Sequence, residues 1–174
     1  MEAVERRERI LHLLKQRTKP VTGAEIANHF GVSRQVIVQD IALLRAAGNE
    51  IIATPQGYML PQREKSDNVR KVIACCHNRD QIMDELGIVV DLGGKALDVI
   101  VEHPLYGEIR GNLMIASRRD LNLFVSQLAD TQAQPLAILT DGVHLHTIEA
   151  PNLEVMQEII SALREAGILV DQET

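Results

Sequence analysis

One stretch constrains this chain more than any other: residues 31–48, GVSRQVIVQDIALLRAAG. Gly31 suits a tight turn, because a residue without a Cβ enters the left-handed region freely. Ser33 can cap a new helix by accepting a backbone N–H bond. Ile37, Ile41 and Leu44 recur at i, i+4 and i+7, which places them on one buried stripe. Arg34, Gln35, Val38 and Gln39 face away from that stripe. Long donors at an exposed helix N-terminus are what reading a major groove requires, since base edges are reached from there. An amphipathic surface helix would show the same pattern, so the flanking segments decide.

Residues 2–17 predict a first helix, with Val4, Ile10, Leu11, Leu13 and Leu14 as its apolar members and Arg6, Arg7 and Arg9 on the charged face. These arginines can meet phosphate or simply water. Thr22-Gly23-Ala24-Glu25 fits a capping box at the start of a short helix bearing Ile26, Ala27 and Phe30. Helix, short helix, turn and longer helix is the order of a helix-turn-helix. Residues 51–54 and 58–60 flank Pro55-Gln56-Gly57 and predict a hairpin. A hairpin directly behind a recognition helix is a wing, with Gln56 at a tip able to touch the DNA backbone. Ser33, Arg34, Gln35, Gln39 and Gln56 are therefore the candidate DNA-binding residues. This half resembles the biotin-repressor-like winged domains of bacterial repressors, through its Ser-Arg-Gln…Asp-Ile…Leu-Arg…Gly pattern.

Net charge matters at this point. The whole chain carries −6, but residues 1–65 hold ten Lys and Arg against seven Asp and Glu, while the remainder holds eight against seventeen. That is +3 followed by −9, so the basic half can meet phosphates and the acidic half should not. At 174 residues with 45% hydrophobic and 2% aromatic content, the chain can build two small aliphatic cores. It has no apolar run of about eighteen residues, its N-terminus lacks a signal-peptide core, and Cys75 and Cys76 make no disulfide framework. A cytoplasmic protein is expected. The expected organisation is a DNA-binding domain over 1–61, a linker over 62–68 and a sensing domain over 69–174.

In the second half, residues 69–76 predict a buried strand, about 80–92 a helix and 96–102 another strand. Residues 104–116 read as extended and irregular. Ser117 can cap a helix carrying Leu121, Phe124, Val125 and Leu128. Residues 136–139 and 143–148 read as a strand pair joined across Asp141-Gly142. Asn152 caps a last helix to about 164, and 168–170 can add a short strand. The expected class is α+β, with helices packed on one sheet.

The histidines carry the chemistry. His12 and His29 sit on helices of the first half with no ligand cluster near them. His144 and His146, at i and i+2 of a strand, leave the same face about 6.5–7 Å apart, and such a pair can converge on one ion. Solvated histidines on an exposed strand are the plain alternative. His77 follows the strand over 69–76, and Asp84 and Glu85 lie early in the next helix, so a third nitrogen and a carboxylate are within reach. Such acids also simply favour a helix N-terminal half, and Cys75 and Cys76 read as small buried apolar residues. Nitrogen and oxygen ligands suit nickel, zinc, iron(II) or manganese. The run from His103 to Arg110 is fixed by Pro104 and Gly107, and offers His103, Tyr106 and Arg110 to a small anionic ligand.

Asp91-Leu92-Gly93-Gly94-Lys95, the run from Val99 through His103-Pro104-Leu105-Tyr106-Gly107-Glu108-Ile109, and Asp141-Gly142-Val143-His144-Leu145-His146 resemble the signatures of the 3H domain. With the winged helix ahead of it, the whole chain resembles the niacin-responsive transcriptional repressors of bacteria. The resemblance implies a dimeric, non-enzymatic repressor of niacin uptake and NAD biosynthesis genes, with operator DNA as partner and nicotinic acid as corepressor. It also implies a divalent metal, nickel or a similar ion, on His77, Glu85, His144 and His146. In that reading Arg110 or His103 holds the nicotinate carboxylate and the metal accepts the pyridine nitrogen. Two alternatives stay open: a repressor for which the ion itself is the signal, and a metal-dependent amide hydrolase with Asp84 or Glu108 as base. An adaptor whose acidic half binds a protein is a third.

Overall fold

The computed structural model describes residues 2–61 and 67–170, which belong to two compact units, Met1–Glu64 and Lys65–Thr174. Most of the expected linker, 62–66, lies outside the described residues. No helix among the described residues is long and apolar enough to cross a membrane.

The first unit contains α1 (Ala3–Lys15), α2 (Gly23–Phe30) and α3 (Arg34–Ala46), followed by strands β1 (Ile52–Thr54) and β2 (Gly57–Met59). Its caps are those the sequence predicts. Thr22 and Glu25 satisfy each other's backbone N–H groups at 3.1 and 2.8 Å, Gly31 ends α2 at φ 66°, and Ser33 accepts from the Val36 N–H. Ile37, Ile41 and Leu44 are buried with Ile10, Leu14 and Ile26. One buried residue of α3 is not apolar. Asp40 accepts from the Arg6 Nε at 2.7 Å and lies 3.5 Å from an Arg7 nitrogen, tying α1 to α3. Arg9 pairs with Glu5, so all three α1 arginines have intramolecular partners.

The wing is short. Thr54 pairs with Gly57, leaving Pro55 and Gln56 as a two-residue loop. Val21 bridges to Tyr58 through bonds of 2.9 and 2.8 Å, which extends the hairpin into three pieces of strand. Gly57 makes this possible: at φ +128° a Cβ there would lie 2.4 Å from the Val21 carbonyl oxygen.

The second unit is a four-stranded antiparallel sheet in the order β3-β6-β4-β5. Its strands are β3 (Val69–Cys76), β4 (Lys95–His103), β5 (Gly107–Ile115) and β6 (Val143–Ala150). Helices α4 (Ile82–Asp91), α5 (Arg118–Asp130) and α6 (Leu153–Glu165) supply Leu86, Val89, Leu121, Ile159 and Leu163 to a core shared with Ile73, Ile115 and Ile148. This is the expected α+β class. Ser117 and Asn152 cap α5 and α6.

Three elements differ from expectation. Residues 107–115 form a regular strand, β5, paired with β4 from His103↔Gly107 to Ala96↔Ile115. The irregularity is confined to a bulge between Ala96 and Asp98, where Met114 takes a left-handed φ of 51°. Residues 136–140 form a 3-10 helix rather than a strand. It follows Pro135 and closes through Ile138 N–H to Pro135 and Gly142 N–H to Ala137. Asp141 and Gly142, both with positive φ, then turn the chain into β6, whose partners are β3 and β4. Residues 168–170 contribute only a bridge from Leu169 to Cys75. β3 itself is buried at Ile73 and Cys75 but exposed at Arg70, Lys71 and Val72.

Candidate functional site

Strand alternation and register build the histidine cluster. His144 and His146 lie on the same face of β6, opposite Cys75 and Ile73 of β3, and both are buried. His77 stands one residue past β3, and Glu85 sits in the first turn of α4 with 2% of its surface exposed. The four meet at the Glu85 carboxylate. His77 Nε2 is 2.6 Å from Oε2, His144 Nε2 is 3.1 Å from Oε1, and His146 Nε2 is 3.3 Å from Oε2. Asp84, its neighbour in sequence, is exposed and outside the cluster.

The other face of each ring fixes its protonation. His77 Nδ1 donates to the Asn78 carbonyl at 2.6 Å, His144 Nδ1 to Gly142 at 2.8 Å and His146 Nδ1 to Asp98 at 2.5 Å. A carbonyl only accepts, so each Nδ1 carries the hydrogen and each neutral ring turns an Nε2 lone pair inward. Three lone pairs around a carboxylate are mutually repulsive unless positive charge lies among them, as a metal cation or as imidazolium protons. Carbonyls that orient ligating imidazoles in this way are a recurrent support of metal sites. The donor set therefore fits a divalent ion, with nitrogen and carboxylate ligands.

The charges act strongly on one another. Burial works to raise the Glu85 carboxyl, but the three imidazoles outweigh it and hold it well below the usual carboxylate range. For His77 and His146, burial works downward and the Glu85 carboxylate raises both above the ordinary imidazole value. Burial, and then Glu85, push the Cys75 thiol far up. Cys75 is the residue that sequence reasoning set aside as apolar filling. Its sulfur, a Glu85 oxygen and a His144 nitrogen all lie within 4.8 Å of one another. Only the register opposite His144 discloses that position.

The residues assigned to an anionic ligand are used differently. His103 Nδ1 accepts the N–H groups of Leu105 and Tyr106 at 3.1 and 3.2 Å, and its ring lies 5.0 Å from that of Tyr106. It closes the β4–β5 turn, and Tyr106 is largely exposed there. Arg110 is bound to Asp98 at 2.6 Å and to Glu108 at 3.3 Å. Asp98 also accepts the Thr147 N–H, so the guanidinium is committed to the sheet through a buried carboxylate.

On α3, Ser33, Arg34, Gln35 and Gln39 are exposed and Val38 is half-buried. Gln56 departs from expectation. Its Oε1 is 3.2 Å from the Thr54 hydroxyl, and its Nε2 is buried without a hydrogen-bond partner. The amide is turned back toward the Thr54 side chain of the hairpin. His12 and His29 lie on α1 and α2, near Gln16 and Phe30.

A winged helix-turn-helix followed by a unit with a buried histidine cluster is the architecture of a DNA-binding regulator. Comparison with known proteins agrees: residues 6–59 match the family model of an HTH domain, and residues 70–172 match that of the 3H domain. The chain is 45% identical over 168 residues to the probable transcription repressor NiaR of Thermotoga maritima, covering 97% of this chain and 95% of that protein. It is 42% identical over 167 residues to the transcription repressor NadR of Bacillus subtilis, covering 95% and 93%. The chain belongs to the 3H-domain family of transcription repressors.

Proposed function

We propose that this protein represses niacin-uptake and NAD-biosynthesis genes in the cytoplasm as a homodimer, with nicotinic acid as corepressor and a divalent metal in its second unit. The observation that carries the metal assignment is the convergence of His77, Glu85, His144 and His146 with all three Nδ1 atoms fixed by carbonyls. These four residues would hold the ion, which supplies a positive charge and a Lewis-acidic centre. Ser33, Arg34, Gln35 and Gln39 at the start of α3 would meet the operator. Two recognition helices one helical turn apart, about 34–36 Å, would read a two-fold site. Nicotinate can favour that arrangement only by binding it better than the alternative.

The deep burial of all four ligands favours a second reading, in which the ion is itself the signal. Operator binding measured across a nicotinate titration, with and without chelator at fixed salt, separates the two. Tightening by nicotinate that chelator removes supports the corepressor reading with the metal in the sensor. Affinity that follows metal at zero nicotinate supports the second. Binding that responds to neither overturns both.

A further inference from the structure

The three imidazoles are not oriented by the same means. His77 and His144 find their carbonyls one and two residues away, at Asn78 and Gly142. Local backbone sets those two rings. His146 takes its carbonyl from Asp98, 48 positions away on the neighbouring strand. The pairing of β4 with β6 is interrupted at that point. It runs through Lys95↔Glu149 and Ala96↔Ile148 and resumes at Ile100↔Leu145, so Leu97, Asp98 and Val99 stand against only Thr147 and His146. Bulges of this kind re-aim the groups they carry. Asp98 bonds to both residues of the interval: its carbonyl accepts the His146 Nδ1–H at 2.5 Å, and its carboxylate accepts the Thr147 N–H at 2.9 Å.

The same carboxylate is buried, and its cation is Arg110 at 2.6 Å. Arg110 pairs with Ile100, and Ile100 with Leu145. Leu145 lies between the two histidines of β6 and so points to the other face of the sheet. Arg110 thus reaches Asp98 from the face away from the cluster, where its side chain is 48% exposed.

We propose that Arg110 and Asp98 are positioning residues for the metal centre, setting the angle of the His146 ring from the opposite face of the sheet. This rests on the reading above that the cluster holds a divalent ion. Arg110 compensates the buried carboxylate, the carboxylate pins Asp98 to the backbone of Thr147, and the Asp98 carbonyl aims the His146 Nε2 lone pair inward. Taking the cation from a buried pair leaves its partner uncompensated, so Asp98 shifts and the ring loses its fixed angle. A second cross-strand pair on that face, Arg70 with Glu149 at 2.6 Å, ties β3 to β6 away from the histidine carbonyls and supplies the control.

Nickel affinity of the full-length protein, measured in competition with a chelator, tests this together with NMR of the metal-free protein. Arg110→Gln is expected to lower nickel affinity about tenfold, and Arg110→Lys, which keeps the charge, to recover most of the loss. Arg70→Gln is expected to bind nickel as the parent does. In metal-free Arg110→Gln the His146 Nδ1–H should exchange with solvent faster than in the parent, while the His77 and His144 signals stay as they are. Parent-like nickel affinity of Arg110→Gln, or an equal loss in Arg70→Gln, overturns the positioning role. A parent protein that takes up no nickel overturns the metal reading instead. An unchanged His146 Nδ1–H in metal-free Arg110→Gln overturns the positioning role by itself, whatever nickel does.

Discussion

Glu85 sits at the centre of three imidazoles, so replacing one of its oxygens by nitrogen separates the two sources of positive charge open to the cluster. Glu85→Gln is expected to lower nickel or zinc affinity at least about a hundredfold in competition with a chelator. The metal-free fold should persist, because an amide N–H can donate to the inward Nε2 lone pairs. Unchanged metal affinity would remove Glu85 from the ligand set. On α3, Arg34→Ala is expected to cost about 1–3 kcal/mol of operator binding while nicotinate binding stays as it is. Equal operator affinity in that variant would show that Arg34 reads nothing. The sequence disclosed these residues because motif and alternation are local. It did not disclose the pairing of Arg110 with Asp98, since their contact follows from the pairing of β4 with β5. Nor did it disclose Asp40, whose partners lie 33 and 34 residues away.

Among the elements, the helices were the most legible. Capping residues and a 3.6-residue period are written into consecutive positions, and each predicted helix has its counterpart. Ser33→Ala removes the cap of α3 and is expected to lower the stability of the first unit by about 1 kcal/mol, read as a shift in its denaturant midpoint. The strands were less legible. Residues 104–116 read as extended and irregular, yet Pro104 falls in the turn and β4 supplies the pairing for β5. The apolar run 136–139 looked like a strand, but Pro135 and the left-handed Asp141–Gly142 pair close it into a 3-10 turn. The wing depends on one residue. Gly57→Ala should force the hairpin off Val21, and exchange of the Val21 and Tyr58 amide hydrogens should speed up. Parent-like protection of both would mean that the strand accommodates a Cβ there.

At the scale of the whole chain, charge divides the labour, with +3 through residue 65 and −9 beyond it. Operator affinity should fall linearly with the logarithm of salt, with a slope of about −0.9 for each phosphate contacted. Removing a phosphate-contacting lysine or arginine from the first unit should make that slope shallower. A slope near zero would exclude binding through phosphates.

The cluster has one more consequence, for how the second unit is held together. His77 and Glu85 are eight positions apart, and Glu85 and His144 are fifty-nine apart. An ion gripping all of them is a crosslink that shortens the unfolded chain's list of shapes, and it does so across a strand end, a helix and a second strand at once. Chelation should therefore lower the melting temperature of the second unit and leave that of the first in place. An ion held there would then set how firmly the sheet is closed.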